Sequence, residues 1–470
     1  MTDTDLVAHH DTVVAAARRG IDDARAALED LVRIPSISAD PDRVRDVQRS
    51  ADATAALLEG SGLEQVRLAS VEDCPPAVIG ERHRVPGAPT VLLYAHHDVQ
   101  PPGFTDRWTS DPFEPVERDG RLYGRGSADD KAGAVAHAAA VRAWLDAAGE
   151  LPCNVTVFIE GEEEIGSPRL DAFLARYVDE LAADVLLLAD AGNWSVGVPG
   201  LTCSLRGLAG GTLRLRALDG PVHSGMAGGV VPDPALALAR LLGSLVDERG
   251  DVAVDGFWED VPAPTASERE RLAQLGGDAA RVLGAYGARP GVEPAGDPSV
   301  PVFERLWLRP ALSVLAVDTH PLEGSSNQIV AEAAARISVR LAPSQDPARA
   351  LEALRAHLAA RIPWGLEWSF EPDWGAPGWS CDPTGWAFHA ADRALQAGFG
   401  RPPVVMGVGG SIPFVKPFAD AFGGIPALLL GPADPESRIH GEDESLHLDD
   451  WRSLIVSEAV LLAELARGAD

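Results

Sequence analysis

Histidine and carboxylate side chains follow several short apolar segments of this sequence, each directly after its segment. The segment TVLLYA leads into His96 and Asp98, NVTVFIE leads into Glu163 and Glu164, and DVLLLAD ends in Asp190. Imidazole nitrogens and carboxylate oxygens are the ligands that zinc and related divalent cations bind in proteins. The pattern therefore indicates a metal site.

Two further motifs add ligands of the same kind. Asp129 and Asp130 lie in GRGSADDKAG, directly before a predicted helix at 131–148, and His440 lies in RIHGEDES after the apolar segment PALLLG. Each motif alone also fits an ordinary helix cap, turn or surface loop. Because gathering so many carboxylates is costly without cations, their coincidence at successive segment ends favours metal binding.

The elements that must position these side chains follow from the apolar pattern. Continuous apolar segments at 90–95, 154–160, 184–190 and 426–431 alternate with helical patterns at 131–148 and 168–182. This alternation predicts an α/β domain with a mostly parallel sheet flanked by helices. Since ligands bind beyond the carboxyl ends of such strands, the polar residues above are expected at one sheet edge.

The pattern of apolar segments changes near residue 206, and the new pattern predicts an inserted domain. Strands and helices are expected in the order β-α-β-β-α-β, typical of a ferredoxin-like α+β domain, at 211–218, 234–246, 311–317, 334–341, 347–361 and 366–371. The stretch 249–310, rich in Pro, Gly and acidic residues, is either ordered or mobile. We expect a discontinuous α/β domain at 1–205 and 377–470, and a second domain inserted at 206–376.

Composition limits the partners and the location. The chain of 470 residues has 40 Lys and Arg against 70 Asp and Glu, a formal charge of −30, which disfavours nucleic acid. The first residues lack the basic and apolar regions of a signal peptide, and no apolar segment approaches the length of a membrane span. Four cysteines without a CxxC pair predict free thiols. A cytoplasmic protein without membrane or nucleic-acid partners is expected.

The motifs together resemble those of a known enzyme family. YAHHDVQPP, LYGRGSADDKAG, FIEGEEEIGS, LLADAGNW, VHSGMAGG, GGSIP and IHGEDES occur in this order. They resemble the di-zinc metallopeptidase family of carnosine dipeptidases, aminoacylases, succinyl-diaminopimelate desuccinylase and glutamate carboxypeptidases. The motif sequences resemble those of the dipeptidase branch most.

The resemblance implies a role for each residue of the site. It implies two divalent metal ions, zinc in the first place and manganese or cobalt as alternatives, with a water shared between them. Asp98 would orient a ligand histidine, Glu163 would act as general base, and Asp129 would bridge the metals and join Asp130 through a cis peptide. The implied ligand sets are His96, Asp129 and Asp190 for one ion, and Asp129, Glu164 and His440 for the other.

The resemblance also implies that the domain at 1–205 and 377–470 is catalytic and that the inserted domain at 206–376 is a lid and dimerisation domain with functional residues of its own. His223, in VHSGMAGG, would reach the active site of a partner subunit and stabilise the oxyanion, which implies a homodimer through that domain. Asn327, Arg340, and Ser411 after Gly410 would contact the substrate.

One position departs from the family. Dipeptidases of the carnosine type have an arginine for the substrate carboxylate where this sequence has Ala331. Arg340 or Arg206 is a possible substitute, and a different substrate preference is the alternative.

The function implied is hydrolysis of dipeptides or short peptides. N-acyl amino acid deacylation, by the same mechanism, is the alternative within the family. A catalytically silent binding dimer is a third hypothesis, and the presence of every metal and base position argues against it.

Overall fold

The chain divides into two compact units in its computed structural model, which describes residues 3–72, 74–373, 375–412 and 414–468. Unit 1 comprises Met1–Cys203, Cys381–Met406 and Phe414–Asp470, and unit 2 comprises Ser204–Ser380 and Gly407–Pro413. The insertion expected at 206–376 falls within unit 2. Unit 2 also includes the short segment around Ser411, because Ser411 and Gly409 hydrogen-bond to arginines of that unit.

Helices and strands are numbered here in chain order. Within the described residues the α-helices are α1 (Asp3–Arg19), α2 (Ile21–Val32), α3 (Val44–Gly60), α4 (Lys131–Ala148), α5 (Leu170–Tyr177), α6 (Ser224–Ala227), α7 (Pro234–Ser244), α8 (Ala266–Leu275), α9 (Ala279–Ala285), α10 (Val302–Trp307), α11 (Pro347–Arg361), α12 (Trp386–Phe399), α13 (Val415–Ala421) and α14 (Leu448–Ala466). The strands are β1 (Glu64–Ala69), β2 (Ala77–Arg82), β3 (Thr90–His96), β4 (Val116–Arg118), β5 (Arg121–Tyr123), β6 (Asn154–Glu160), β7 (Val185–Leu188), β8 (Gly200–Leu205), β9 (Gly207–Arg216), β10 (Val222–His223), β11 (Ala311–Asp318), β12 (Gln328–Ile329), β13 (Glu332–Leu341), β14 (Glu367–Pro372), β15 (Trp379–Ser380), β16 (Val404–Val408), β17 (Ala427–Leu429) and β18 (Ser445–His447).

The main sheet of unit 1 has a parallel centre. Its order runs β1-β2-β6-β3-β7-β17-β8. The neighbours β6, β3, β7 and β17 are parallel, whereas β1, β2 and β8 join in antiparallel fashion. The parallel centre matches the continuous apolar segments of the sequence, because both faces of these strands are buried under helices. The predicted α/β fold is confirmed.

Helix α4, which begins directly after the Asp129–Asp130 pair, is buried along nearly its whole length. Its many alanines let α1 and α14 approach closely, so the helix contacts both as well as the sheet. Two indole N–H groups fix its ends: Trp451 donates to Ala132 O at 3.0 Å, and Trp144 donates to Ala459 O at 2.7 Å. The start of α4 is therefore a rigid support for the residues before it.

Unit 2 contains the predicted ferredoxin-like arrangement. Its antiparallel sheet has the order β11-β13-β9-β14. In sequence these strands alternate with α7 and α11 as β-α-β-β-α-β, so the ferredoxin-like prediction is confirmed. Leucines of β9, α7 and α11 form much of its core, among them Leu213, Leu215, Leu238, Leu241, Leu354 and Leu358. The 249–310 stretch includes α8, α9 and α10.

Strand β9 begins four residues earlier than predicted, at Gly207 instead of residue 211. The glycines in GLAGG interrupt the apolar alternation, which hid this part of the strand. They allow close backbone contact: a Cβ on Gly210 would lie 2.4 Å from Ile337 O of the paired strand β13. Glycine is therefore required at position 210 for this strand pairing.

Two simpler expectations concern membranes and thiols. None of the helices in the described ranges combines the length and apolarity needed to cross a membrane. The cysteines Cys74 and Cys153 are free thiols, as predicted. The cytoplasmic location stays a prediction.

Candidate metal centre

Three of the predicted ligands and the predicted base follow parallel neighbours of the main sheet. His96 ends β3, Glu163 and Glu164 follow β6, and Asp190 follows β7. In the parallel register His96 lies opposite Glu160. The strands therefore deliver these side chains to one edge of the sheet, as the sequence predicted.

The predicted ligand side chains form two groups that share Asp129. The ligand atoms of His96, Asp129 and Asp190 lie within 4.8 Å of one another, as do those of Asp129, Glu164 and His440. One oxygen of Asp129, Oδ1, lies 3.1 Å from His96 Nε2, and the other, Oδ2, lies 3.1 Å from His440 Nε2. Asp129 thus presents one carboxylate oxygen to each group, which is the arrangement of a bridging ligand.

The pKa values of the residues in these two groups are shifted in a way that indicates a need for positive charge. Burial, and then the negative charge of nearby carboxylates, raises the pKa of Glu163, Glu164 and Asp190. Hydrogen bonds to Asp129 and Glu164 raise the pKa of His440 to about 11. Burial alone would raise the pKa of Asp129, but hydrogen bonds from the two histidines hold it below its usual range. Buried carboxylates crowded in this way are stabilised by bound cations.

The donor set fits two divalent cations. Each group offers one imidazole nitrogen and carboxylate oxygens from two residues, with three protein ligands per ion and positions left over for water and substrate. Nitrogen and oxygen donors of this kind suit zinc, manganese and cobalt alike. The geometry therefore supports a dinuclear centre.

Asp98 contacts more residues of the centre than His96, the partner that was predicted for it. His96 Nδ1 lies 3.0 Å from the main-chain oxygen of Asp98 and 3.4 Å from its carboxylate Oδ1. The same carboxylate accepts the backbone N–H groups of Glu163 at 3.2 Å and Glu164 at 3.1 Å, and the Ser38 hydroxyl at 2.6 Å. Asp98 therefore contacts the predicted ligand His96 and also holds the backbone of Glu163 and Glu164 beside it.

Gln100 is a supporting residue that sequence reasoning missed. Its backbone N–H donates to Glu164 Oε1 at 3.1 Å, and its side-chain amide donates to Glu164 Oε2 at 3.0 Å. Gln100 thereby fixes both oxygens of a predicted ligand. Its place in YAHHDVQPP, four residues after His96, was the only signal for it.

Glu163 faces the centre without belonging to either ligand group. Its Oε2 lies 4.0 Å from His96 Nε2, and its side chain is 14% exposed. A carboxylate in this position is free to accept a proton, whereas the adjacent Glu164 is hydrogen-bonded to His440 at 3.1 Å. The two neighbouring glutamates therefore have different surroundings: Glu164 belongs to a ligand group and Glu163 does not.

Unit 2 brings His223 and Asn327 together. Strand β10 pairs with β12 so that His223 lies opposite Gln328, and Ser224 N donates to Asn327 O at 2.9 Å. The imidazole is exposed, and its Nδ1 accepts the Gly225 N–H at 3.0 Å. Because Nδ1 is the acceptor, the proton of the neutral ring lies on Nε2, which is available as a donor.

Unit 2 also joins Arg340, Ser411 and Arg206. Arg340 Nη1 donates to Ser411 Oγ at 3.0 Å, and that hydroxyl donates to Arg206 O at 2.6 Å. Arg206 Nε donates to Gly409 O at 3.1 Å. Burial, with the positive charge of Arg340, lowers the pKa of Arg206 to about 10. Gly410 lies between Gly409, which accepts from Arg206, and Ser411, which accepts from Arg340. The loop is therefore held by two guanidinium groups.

Comparison with known proteins finds peptidases that are similar to this chain in sequence and in structure. Residues 92–463 match the model of peptidase family M20/M25/M40. A cysteinylglycine-S-conjugate dipeptidase of Corynebacterium striatum is 33% identical over 445 residues, which are 93% of this chain and 94% of the relative. A Beta-Ala-His dipeptidase of Rattus norvegicus is 29% identical over 433 residues, covering 89% of this chain and 84% of that protein. The structure of the dipeptidase Dug1p from Saccharomyces cerevisiae superposes with a TM-score of 0.85 at 25% identity, over 98% of this chain and 99% of the other.

An α/β unit with histidine–carboxylate groups at its parallel sheet edge, together with a ferredoxin-like insertion, defines a metallopeptidase. The family match covers most of the chain, and the chain therefore belongs to peptidase family M20/M25/M40. The family resemblance drawn from the motifs, including its dipeptidase branch, is confirmed.

Proposed function

We propose that this metallopeptidase is a dipeptidase that uses two zinc ions. The observation that carries the proposal is the Asp129 carboxylate, shared between two histidine–carboxylate groups whose ligand atoms lie within 4.8 Å of one another. Relatives that cover most of the chain and are themselves dipeptidases support the substrate class.

The chain's own residues supply the proton transfers. Bound divalent cations would polarise the scissile carbonyl and lower the pKa of the attacking water. Glu163, which is outside both ligand groups, accepts the proton of that water and then donates it to the nitrogen of the leaving amine. Asp98 keeps Glu163 in place through the hydrogen bond to its backbone N–H, at 3.2 Å.

Arg340 and Ser411 are proposed to bind the substrate's free carboxylate, with Arg206 and Gly410 shaping the loop. The support is electrostatic: burial lowers the pKa of both guanidinium groups, and the positive charge of Arg340 adds to the effect at Arg206. An anion between two such cations would relieve their repulsion. This arrangement would take over the role of the arginine that dipeptidases of the carnosine type have at the position of Ala331. Asn327 is proposed as a further substrate contact.

Replacing Arg340 by Met is expected to lower kcat/KM for dipeptides about 10- to 100-fold, because a hydrogen bond to a charged group is lost. Dipeptide amides, which lack the carboxylate, should be hydrolysed equally by both proteins. Steady-state kinetics on matched acid and amide substrates measure the effect. Arg336→Met is the control, since Arg336 lies on the same strand and pairs with Asp373. Equal losses on acids and amides would contradict the role of Arg340.

A homodimer through unit 2 is proposed from the edge of its sheet. Strand β11 pairs with β13 and is the end strand of the order β11-β13-β9-β14. It exposes Val314, Leu315 and Val317 at 43%, 61% and 57%. An apolar end strand of this kind is a site for pairing with another chain, and a second copy satisfies it symmetrically. His223 of one protomer is proposed to stabilise the oxyanion in its partner.

Replacing Leu315 by Lys should convert the dimer to monomers, because a charge at the edge strand opposes pairing. Light scattering after size-exclusion chromatography measures the mass. Val44→Lys is the matched control, since Val44 is similarly exposed, at 66%, but lies in unit 1 at the start of α3. If L315K elutes as the same dimer as wild type, β11 is not the interface.

The substrate class is tested by a panel of dipeptides, longer peptides and N-acyl amino acids, each assayed with zinc, manganese and cobalt. Dipeptide hydrolysis that requires added metal after chelation is the expected result. Cleavage of N-acyl amino acids without any dipeptide hydrolysis would instead identify a deacylase. A protein that binds none of these metals would favour the silent binding dimer.

A further inference from the structure

A buried carboxylate outside both ligand groups, Glu444, holds the backbone that leads to Asp129. Its Oε1 accepts the N–H of Ala128 at 3.0 Å and that of Asp129 at 3.1 Å. Its Oε2 accepts the N–H of Gly126 at 3.1 Å. The side chain is fully buried. Three backbone donors from the segment before α4 therefore converge on one side chain.

Arg125 extends this contact to the loop that carries His440. Its Nη1 donates to Glu444 Oε2 at 2.6 Å, and its Nη2 donates to the main-chain oxygens of Gly441 at 3.0 Å and Pro101 at 3.2 Å. The arginine side chain is 1% exposed, so the ion pair is shielded from water. Glu444 and Arg125 thus connect the residue after His440 to the residues before Asp129.

The His440 loop needs such support because its backbone is unfavourable on its own. Arg438, His440 and Asp443 have φ values of 53°, 64° and 58°, in the left-handed region that side chains other than glycine rarely adopt. The His440 side chain is 54% exposed, so burial of the imidazole does little to fix it. Its position relative to Asp129 therefore depends on the contacts of the loop.

We propose that Glu444 is a positioning residue that sets His440 against Asp129 so that the second metal ion is bound. The inference rests on the proposed function, because it requires a two-metal centre. Glu444 holds both the backbone of the shared Asp129 and the loop of His440, whereas His96 and Asp190 come from the main sheet. Loss of Glu444 should therefore weaken the group of Asp129, Glu164 and His440 more than the group of His96, Asp129 and Asp190.

Metal binding to Glu444→Gln tests the proposal without an activity assay. The glutamine side chain has the same size but turns an amide N–H group toward backbone donors, which disturbs the loop. Wild-type protein freed of metal should bind two equivalents of cobalt, followed by visible absorption and calorimetry. The variant should bind the second equivalent about 10- to 100-fold more weakly, the usual effect of residues that support ligands. The first equivalent should be weakened less, because only one of its three ligands, Asp129, is held by Glu444.

The control is another buried carboxylate of unit 1. Glu458, on α14, pairs with His137 at 2.8 Å and is 1% exposed. Glu458→Gln should bind both equivalents as wild type does. Arg125→Gln, which loses the contact to Gly441, should reproduce the loss of the second equivalent and serves if E444Q does not fold.

The outcomes separate the two proposals. Wild-type protein that binds fewer than two equivalents contradicts the dinuclear centre itself. If wild type binds two, unchanged binding in both E444Q and R125Q overturns the role of Glu444. Equal weakening of both equivalents also overturns it, because the effect would then not be greater on the His440 side.

Discussion

Glu163→Gln is expected to lower kcat at least about 100-fold, the minimum usual for loss of a general base. The amide is the same size but does not take up the proton of the attacking water. Since Glu163 belongs to neither ligand group, metal content should stay at the wild-type value. Steady-state kinetics and metal analysis of the same protein sample measure both quantities.

The neighbouring Glu162 provides the matched control. Its carboxylate is turned toward Arg169, 3.1 Å away, and is 7% exposed. Glu162→Gln therefore changes the same functional group in the same turn without facing the ligands, and should keep its turnover. If E163Q retains more than about a tenth of the wild-type rate, another residue is the base.

Four of the five proposed metal ligands are tied to a strong local pattern. His96 ends an apolar strand, Glu164 and Asp190 closely follow two others, and parallel strands bring such ends to one edge. Asp129 precedes a long helix whose apolar pattern is unambiguous. For these residues, the sequence pattern that forms the fold also reveals the site.

The supporting residues could not be predicted in the same way. Gln100 and Glu444 act through hydrogen bonds to backbone groups or to a ligand's oxygens, and such contacts leave no periodic pattern in the sequence. The strands β4, β5 and β18 have three residues each, too few for alternation to be recognised. Their antiparallel sheet nonetheless anchors the end of the His440 loop, where Ser445 pairs with Tyr123.

The carboxylates of the site differ physically from most acidic residues of the chain. Most of the 70 acidic residues contribute to the net charge of −30 as solvated groups. Asp129, Glu163, Glu164 and Asp190 are instead drawn together at one sheet edge, where burial and mutual repulsion raise the pKa of three of them. Two divalent cations would offset this local charge, so the net charge of the bare chain overstates the negative field that a substrate meets.

Asp129→Asn is expected to abolish binding of both metal ions, and turnover with them, because one carboxylate serves both ligand groups. An amide presents a single acceptor oxygen, so it cannot offer one anionic oxygen to each ion. His440→Ala should behave differently: it removes a ligand of one group only and should leave about one equivalent bound. Metal analysis after equilibrium dialysis measures the difference. Asp434→Asn is the control, since that fully buried carboxylate pairs with Arg121 at 2.8 Å and lies outside both groups. Two equivalents bound to D129N, or none bound to H440A, would contradict a bridge at Asp129.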